Sequence, residues 1–248
     1  MNLYSKREWG GTEIFRNPLV SFVYERGWRQ GFSWAGFLGL EKETEIALRY
    51  LQPAANGVLL DVSCGSGLFT RAFLKSERFE QVVASDFSES MLRQTRQFLT
   101  DDPDLTRYRD LLLVRADVAR LPFATASLDG VHAGAAIHCW PDPVTAAAEI
   151  SRVLRPGGVF VGSTFLNSFA PLGELLGDET VRPLEEIAKF LPAGAPGSPG
   201  TAQQPYKWWS EGELKEVFAA AGLVNFQRTR SNRFILWSVT KPALKNNK

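Results

Sequence analysis

From Glu41 the chain reads EKETEIALRYL, with apolar positions recurring at helical spacing until Pro53, and this predicts an amphipathic helix. GVLLDV follows, an apolar run of the kind that forms a strand buried on both faces, and leads into a glycine-bearing turn. The pattern then alternates. FTRAFLKSE reads as a helix, QVVASD as a strand, and Ser88 begins a helix that runs to Leu99. LLLVRAD (111–117) and LDGVHAG (128–134) read as strands, then VTAAAEISRVL as a helix stopped by Arg155-Pro156-Gly157-Gly158 ahead of strand VFVGSTF. Ser210 and Glu213 form an S-x-x-E capping box that opens helix ELKEVFAAAG, with Gly222 as its stop. FQRTR and RFILWSVTK close the chain as two strands, an antiparallel hairpin at the sheet's edge.

Strands alternating with helices imply right-handed βαβ units and a parallel sheet, an α/β architecture. Two stretches break the rhythm. Residues 1–40 are rich in aromatics, glycine and arginine (YERGWRQGFSWAGF at 24–37), with Pro18 placed to open a short helix over LVSFVYERG. In residues 167–207, PLEEIAKFL is compatible with a helix, whereas PAGAPGSPGTAQQP cannot build a core and reads as a mobile loop. The expected organisation is therefore an N-terminal aromatic cap segment, 1–40, and one domain over 41–248, with 167–207 a variable lid over the substrate. No internal repeat interrupts it.

Length and charge narrow the partners. A chain of 248 residues suffices for one α/β domain with a small lid. Its formal net charge of +1 provides no field for nucleic acid or anionic lipid, which favours a small-molecule substrate. No apolar stretch approaches the ~20 residues of a membrane-spanning helix, so no integral membrane segment is expected. Met1 to Trp9 lacks the apolar middle of a secretory signal. Cys64 and Cys139, the only cysteines, make neither a disulfide framework nor a zinc site, so a reducing compartment and no metal are expected. Nothing in the sequence sets an oligomeric state.

The chemistry starts at LLDVSCGSG (59–67), where a strand ends in an acid, Asp61, and the following turn carries Gly65 and Gly67. Glycine lets the backbone bend tightly and lets a ligand approach the amides, although strand-to-helix turns also use it for structure alone. VVASD then places Asp86 at the end of the next strand, where a carboxylate can accept from ribose hydroxyls. Together these features indicate an adenosine-containing cofactor. The nicotinamide fingerprint needs a third glycine, which is Thr70 here. Asp61 would also repel a pyrophosphate but would suit an ammonium group, which S-adenosylmethionine has. Asp117, ending LLLVRAD, can accept from an adenine amino group at the same crevice. AAIHCWPD (135–142) should lie beside the cofactor's reactive end. His138 there is either a general base or a wall residue; as base it would impose a rate rising with pH near ~6.5. Trp140 would face the sulfonium or the substrate ring. His132, inside its strand, reads as a core residue.

DVSCGSG, ASDFSESML, RADVARLPF, HCWPDP and RVLRPGG resemble successive motifs of class I S-adenosylmethionine-dependent methyltransferases, in the branch of ubiquinone/menaquinone biosynthesis methyltransferases. A narrower likeness, carried by FRNPLVSFVYERGWRQGF, HAGAAIHCWPDP and EISRVLRPGGVF, is to uncharacterised plant and algal chloroplast methyltransferases associated with plastid lipid globules. The resemblance implies a doubly wound, seven-stranded, mostly parallel sheet with one antiparallel edge strand and a small lid. It implies S-adenosyl-L-methionine as cofactor and S-adenosyl-L-homocysteine as product. It places Asp61, Ser63, Gly65 and Gly67 around the methionine moiety and Asp86 on the ribose. Phe87 and Met91 would flank the adenine, and Asp117 and Val118 would read its edge. Ser63 departs from the usual run, which has glycine there.

The expected reaction is methyl transfer to a phenolic, quinol or other lipid-like small molecule, on oxygen or carbon. Phe22, Tyr24, Trp28, Phe32 and Trp34, with the lid and Trp140, would build the acceptor pocket, unless the aromatics merely cover the sheet's edge. Two other classes stay open: a binding protein on the methyltransferase fold without transfer, and a nicotinamide oxidoreductase, which Thr70 and Asp61 disfavour. The narrower likeness implies the chloroplast, with a transit peptide outside this sequence; otherwise the cytoplasm is expected.

Overall fold

The computed structural model describes residues 36–108, 111–188 and 207–244. Helix α1 (Leu40–Tyr50) turns the apolar positions Ile46 and Ala47 inward, and a 3₁₀ turn at Gln52–Ala54 leads to β1 (Val58–Val62). Then come α2 (Leu68–Ser76), β2 (Gln81–Asp86), α3 (Glu89–Asp101), β3 (Leu113–Arg115), β4 (Leu128–Ala133), α4 (Pro143–Val153) and β5 (Leu154–Phe165). The chain continues through α5 (Ala170–Leu176), α6 (Asp178–Ala188), α7 (Glu211–Ala220), β6 (Val224–Ser231) and β7 (Phe234–Thr240).

The seven strands form one sheet in the order β3-β2-β1-β4-β5-β7-β6. β1 to β5 pair in parallel, and β7 pairs antiparallel with both β5 and β6. The strand that opposes the rest is therefore β7, one place in from the rim. One apolar cluster on the sheet gathers residues such as Val131, Ile150, Phe160, Trp209 and Phe218; a second gathers Ile46, Phe69, Phe73, Leu99 and Phe234. Phe37 packs on the second, with ring centroids 4.8 Å from Phe165 and 4.9 Å from Phe234.

Local signals hold where they rest on backbone chemistry. Ser88 caps α3 by accepting from the Met91 amide, and Ser210 and Glu213 exchange both bonds of the capping box at 3.1 and 2.9 Å. Three expectations shift. LLLVRAD narrows to a strand over Leu113–Arg115. Arg155, Pro156 and Gly157 loop out within β5: Leu154 pairs with Leu128, the register slips, and Val159 pairs with Gly130. Gly157 takes φ 84° there, and its amide donates to the Lys241 carbonyl. After β5, α5 precedes a longer α6 that carries Pro183 in its interior rather than starting on it. The GAPGSPG stretch lies outside the described residues.

Candidate functional site

The crevice forms where β1, β2 and β4 end and the strand order reverses, since the chain leaves β1 to one side and returns to β4 on the other. The turn after β1 is built from left-handed residues: Ser63 at φ 54°, Gly65 at φ 57° and Gly67 at φ 80°. Ser63 thus adopts the conformation that glycine would supply, and its hydroxyl accepts from the Trp140 indole at 3.1 Å. Gly67 caps α2, and a Cβ on it would meet Thr95 Cγ2 at 2.6 Å. A Cβ on Gly65 would meet nothing within 4 Å, so open space faces this turn.

Asp86 ties the turn to β2. Its carboxylate accepts from the Gly65 amide at 2.9 Å and from the Ser88 amide at 2.8 Å. Burial pushes its acid up to about 6, against the opposing effect of those amides. Asp61 is 1% exposed, sealed beneath the turn. One of its oxygens accepts from Thr70 Oγ1 at 2.5 Å and the other lies 2.8 Å from His132 Nδ1. Asp61 is thus a buried carboxylate with a partner on each oxygen.

Asp117 follows β3, half-buried, and accepts from the Ala119 amide at 2.9 Å. Met91 and Val118 are buried. Phe87 is half-buried, with the Arg115 guanidinium 6.0 Å from its ring centroid. His138 sits in a 3₁₀ turn (Ile137–Cys139) after β4, its Nδ1 3.0 Å from Thr164 Oγ1 on β5. Burial pulls its imidazole down to about 4. Burial raises both thiols, Cys64 well above its ordinary value and Cys139 to about 12, so neither is a ready nucleophile. Trp140 is buried beside the turn. Tyr24, Trp28 and Phe32 lie outside the described residues. Among the described residues no cluster of His, Cys, Asp or Glu could hold a metal, and no helix is long and apolar enough to cross a membrane.

The structure adds partners that the sequence pattern did not single out. Thr70 and His132 are the donors to Asp61, and Thr164 is the partner of His138. The hint for His132 lay in strand adjacency, because Asp61 on β1 pairs in register with His132 on β4.

These carboxylates and glycines gather at the reversal point of a doubly wound sheet, the place where open α/β sheets take their ligands. Residues 60–162 match the family model described as a methyltransferase domain. Two uncharacterized chloroplastic methyltransferases of Arabidopsis thaliana are similar to the chain. One is 50% identical over 236 residues, covering 94% of this chain and 61% of the relative. The other is 45% identical over 231 residues, covering 93% and 60%. The chain therefore spans about three-fifths of the length of these relatives. A demethylmenaquinone methyltransferase of Desulfitobacterium hafniense is 26% identical over 212 residues, 84% of this chain and 76% of that one. In fold, geranyl diphosphate C-methyltransferase from Streptomyces coelicolor, solved with S-adenosyl-L-homocysteine, superposes with TM-score 0.59 at 14% identity, covering 81% of this chain and 79% of that one. The [4+2]-cyclase SpnF superposes with TM-score 0.61 at 15% identity, covering 82% and 81%.

Proposed function

We propose that the chain is an S-adenosylmethionine-dependent methyltransferase acting on a small phenolic, quinol or other lipid-like acceptor, on oxygen or carbon. The observation that carries the cofactor assignment is the turn itself: an open face over Gly65, with Asp86 bonded to its amide and Asp61 buried below. In this reading Asp86 accepts from the ribose hydroxyls, Phe87 and Met91 flank the adenine, and Asp117 with Val118 reads its edge. Asp61 supplies negative charge beneath the turn for the amino-acid end, with Ser63, Gly65 and Gly67 shaping the path. When bound, the cofactor supplies a methyl carbon already activated by its sulfonium. The protein's own work is to hold the acceptor in line and dry, which can lower the barrier by up to ~7–11 kcal/mol. In this reading His138 takes the acceptor's proton, desolvation keeping its imidazole neutral at pH 7. Trp140, with Tyr24, Trp28 and Phe32 of the aromatic cap segment, walls the acceptor, and residues 167–207 serve as its lid. The chloroplastic relatives support a plastid location, and the demethylmenaquinone methyltransferase supports a quinol-like acceptor.

Calorimetry tests the cofactor: S-adenosylmethionine and S-adenosylhomocysteine should bind and NADH should not. Tighter binding of NADH overturns the assignment. Transfer of a labelled methyl group to a panel of phenols, hydroquinones and prenylated quinols tests the acceptor class. Because the fold also occurs in a protein named as a cyclase, cofactor binding with no transfer to any acceptor would favour a binding role or other chemistry.

A further inference from the structure

We propose that His132 is a positioning residue for the amino-acid end of the cofactor, acting through Asp61. This rests on the cofactor assignment above, and its test is chosen so that the two can fail separately.

The place of His132 is unusual for an imidazole. It stands on β4 and is 1% exposed, with ring centroids 4.7 Å from Phe69 and 4.8 Å from Phe73 of α2. A slot between two phenylalanines suits an aliphatic side chain, and a ring N–H placed there costs free energy unless it is bonded. Asp61 provides that bond at 2.8 Å, because the parallel register sets the two residues side by side on neighbouring strands. An ionised carboxylate only accepts, so the Thr70 hydroxyl and His132 Nδ1 are both donors, and the hydrogen of the imidazole is assigned to Nδ1.

Those two donors, one on each oxygen, fix the plane of the Asp61 carboxylate. An ionised carboxylate offers about four acceptor sites, so capacity remains after the two bonds are made. Asp61 is sealed beneath the turn, so it acts on a bound ammonium as a fixed charge in a poorly screened site, where placement matters most. Without His132, one carboxylate oxygen is left buried with no donor. Such a group relieves the cost by taking up a proton or by turning away. Either change removes negative charge from under the turn; that charge also raises the Asp86 acid, so its loss leaves the ribose acceptor more readily ionised and no weaker. His132 therefore affects the amino-acid arm of the ligand and leaves the nucleoside alone.

The test compares S-adenosylhomocysteine with 5′-methylthioadenosine, which shares the adenosine and the thioether but lacks the amino-acid arm. His132→Leu fills the slot with an apolar group and removes the donor; His132→Asn keeps an N–H near the same place. Calorimetry should show His132→Leu weakening S-adenosylhomocysteine by about 10- to 100-fold, the equivalent of a hydrogen bond to a charged group. Affinity for 5′-methylthioadenosine should stay within about threefold of wild type, and His132→Asn should recover most of the loss, on the same reasoning. An unchanged S-adenosylhomocysteine affinity, or equal losses for both ligands, overturns the proposal. If wild type binds neither ligand, the cofactor assignment has failed instead. Should His132→Leu not fold, the unmodified protein gives the answer, since it has only two histidines. The ¹⁵N resonances of the His132 ring should move on adding S-adenosylhomocysteine but not 5′-methylthioadenosine, and identical responses overturn the proposal.

Discussion

Asp86 and His138 are both half-buried, and desolvation moves them in opposite directions: the carboxyl rises to about 6 and the imidazole falls to about 4. Ribose hydroxyls donating to Asp86 favour its ionised form, so binding below pH ~6 must expel a proton. Affinity for S-adenosylhomocysteine should rise with pH through about 6 and level above it, as calorimetry between pH 5 and 8 would show. Asp86→Ala should weaken binding by ~1–3 kcal/mol and abolish that dependence; unchanged affinity would mean the ribose sits elsewhere. Because the folded value exceeds the unfolded one, near ~3.9, the residue favours the fold at pH below ~4. That contribution is lost as pH rises through about 6. For His138 the shift moves the expected titration of the rate from ~6.5 to about 4. An imidazole at about 4 is already neutral at pH 5, so turnover should be flat in this residue from pH 5 upward, its acid limb near 4. His138→Ala should bind S-adenosylmethionine normally and lose ~10²–10⁴-fold in turnover on a verified acceptor. Full turnover in that variant would leave His138 as wall and catalysis to proximity.

At the scale of elements, the turn after β1 separates stability from binding within a few residues. Gly65 and Gly67 both have positive φ, so a side chain at either costs ~1–3 kcal/mol of backbone strain. Only Gly67 adds a collision, because its Cβ would press on Thr95. Gly67→Ala should therefore lower the melting temperature more than Gly65→Ala. Gly65→Ala, by placing a methyl in the open crevice, should cost more affinity for S-adenosylhomocysteine relative to its effect on stability. Equal ratios in melting and calorimetry would refute this division. The turn was legible in the sequence because its glycine spacing and flanking acids are local, and the Ser210–Glu213 box was legible for the same reason. Other features depend on distant partners. The helical pattern of 183–191 suggested a start at Pro183, but α6 begins at Asp178, whose carboxylate is held by Arg230. The role of His132 needed the strand order, which alternation along the chain does not specify. Ser63 shows a substitution compensated by tertiary structure: strain at a glycine position is offset by the bond from Trp140.

At the scale of the whole molecule, a buried arginine joins helices α5, α6 and α7 to the sheet. Arg230 lies on the outer strand β6 with its side chain fully buried. Its guanidinium reaches the first residues of three helices: the Ala170 carbonyl of α5, the Asp178 carboxylate of α6 at 3.0 and 3.2 Å, and the Glu211 carboxylate of α7 at 3.1 Å. Removing it does not cost the same at each place. Glu211 keeps Arg228 at 2.6 Å and Lys215 at 2.8 Å, so its buried charge remains compensated. The Asp178 side chain is 31% exposed, and water can replace part of what it loses. Ala170, at the start of α5, loses a charged donor to its carbonyl. Arg230→Met, which retains volume, should therefore destabilise by about 3 kcal/mol, the low end for breaking a buried ion pair. The loss should be uneven. Amide exchange in α5 and α6 should accelerate beyond the global change, whereas α2 and α3, which flank the cofactor turn, should follow the global change alone. Affinity for S-adenosylhomocysteine should hold, because its proposed contacts lie on the turns after β1, β2 and β3, and the acceptor's KM should rise if α5 and α6 form its lid. Uniform exchange across all helices would show that Arg230 stabilises the fold as a whole, and the lid would then need a different anchor.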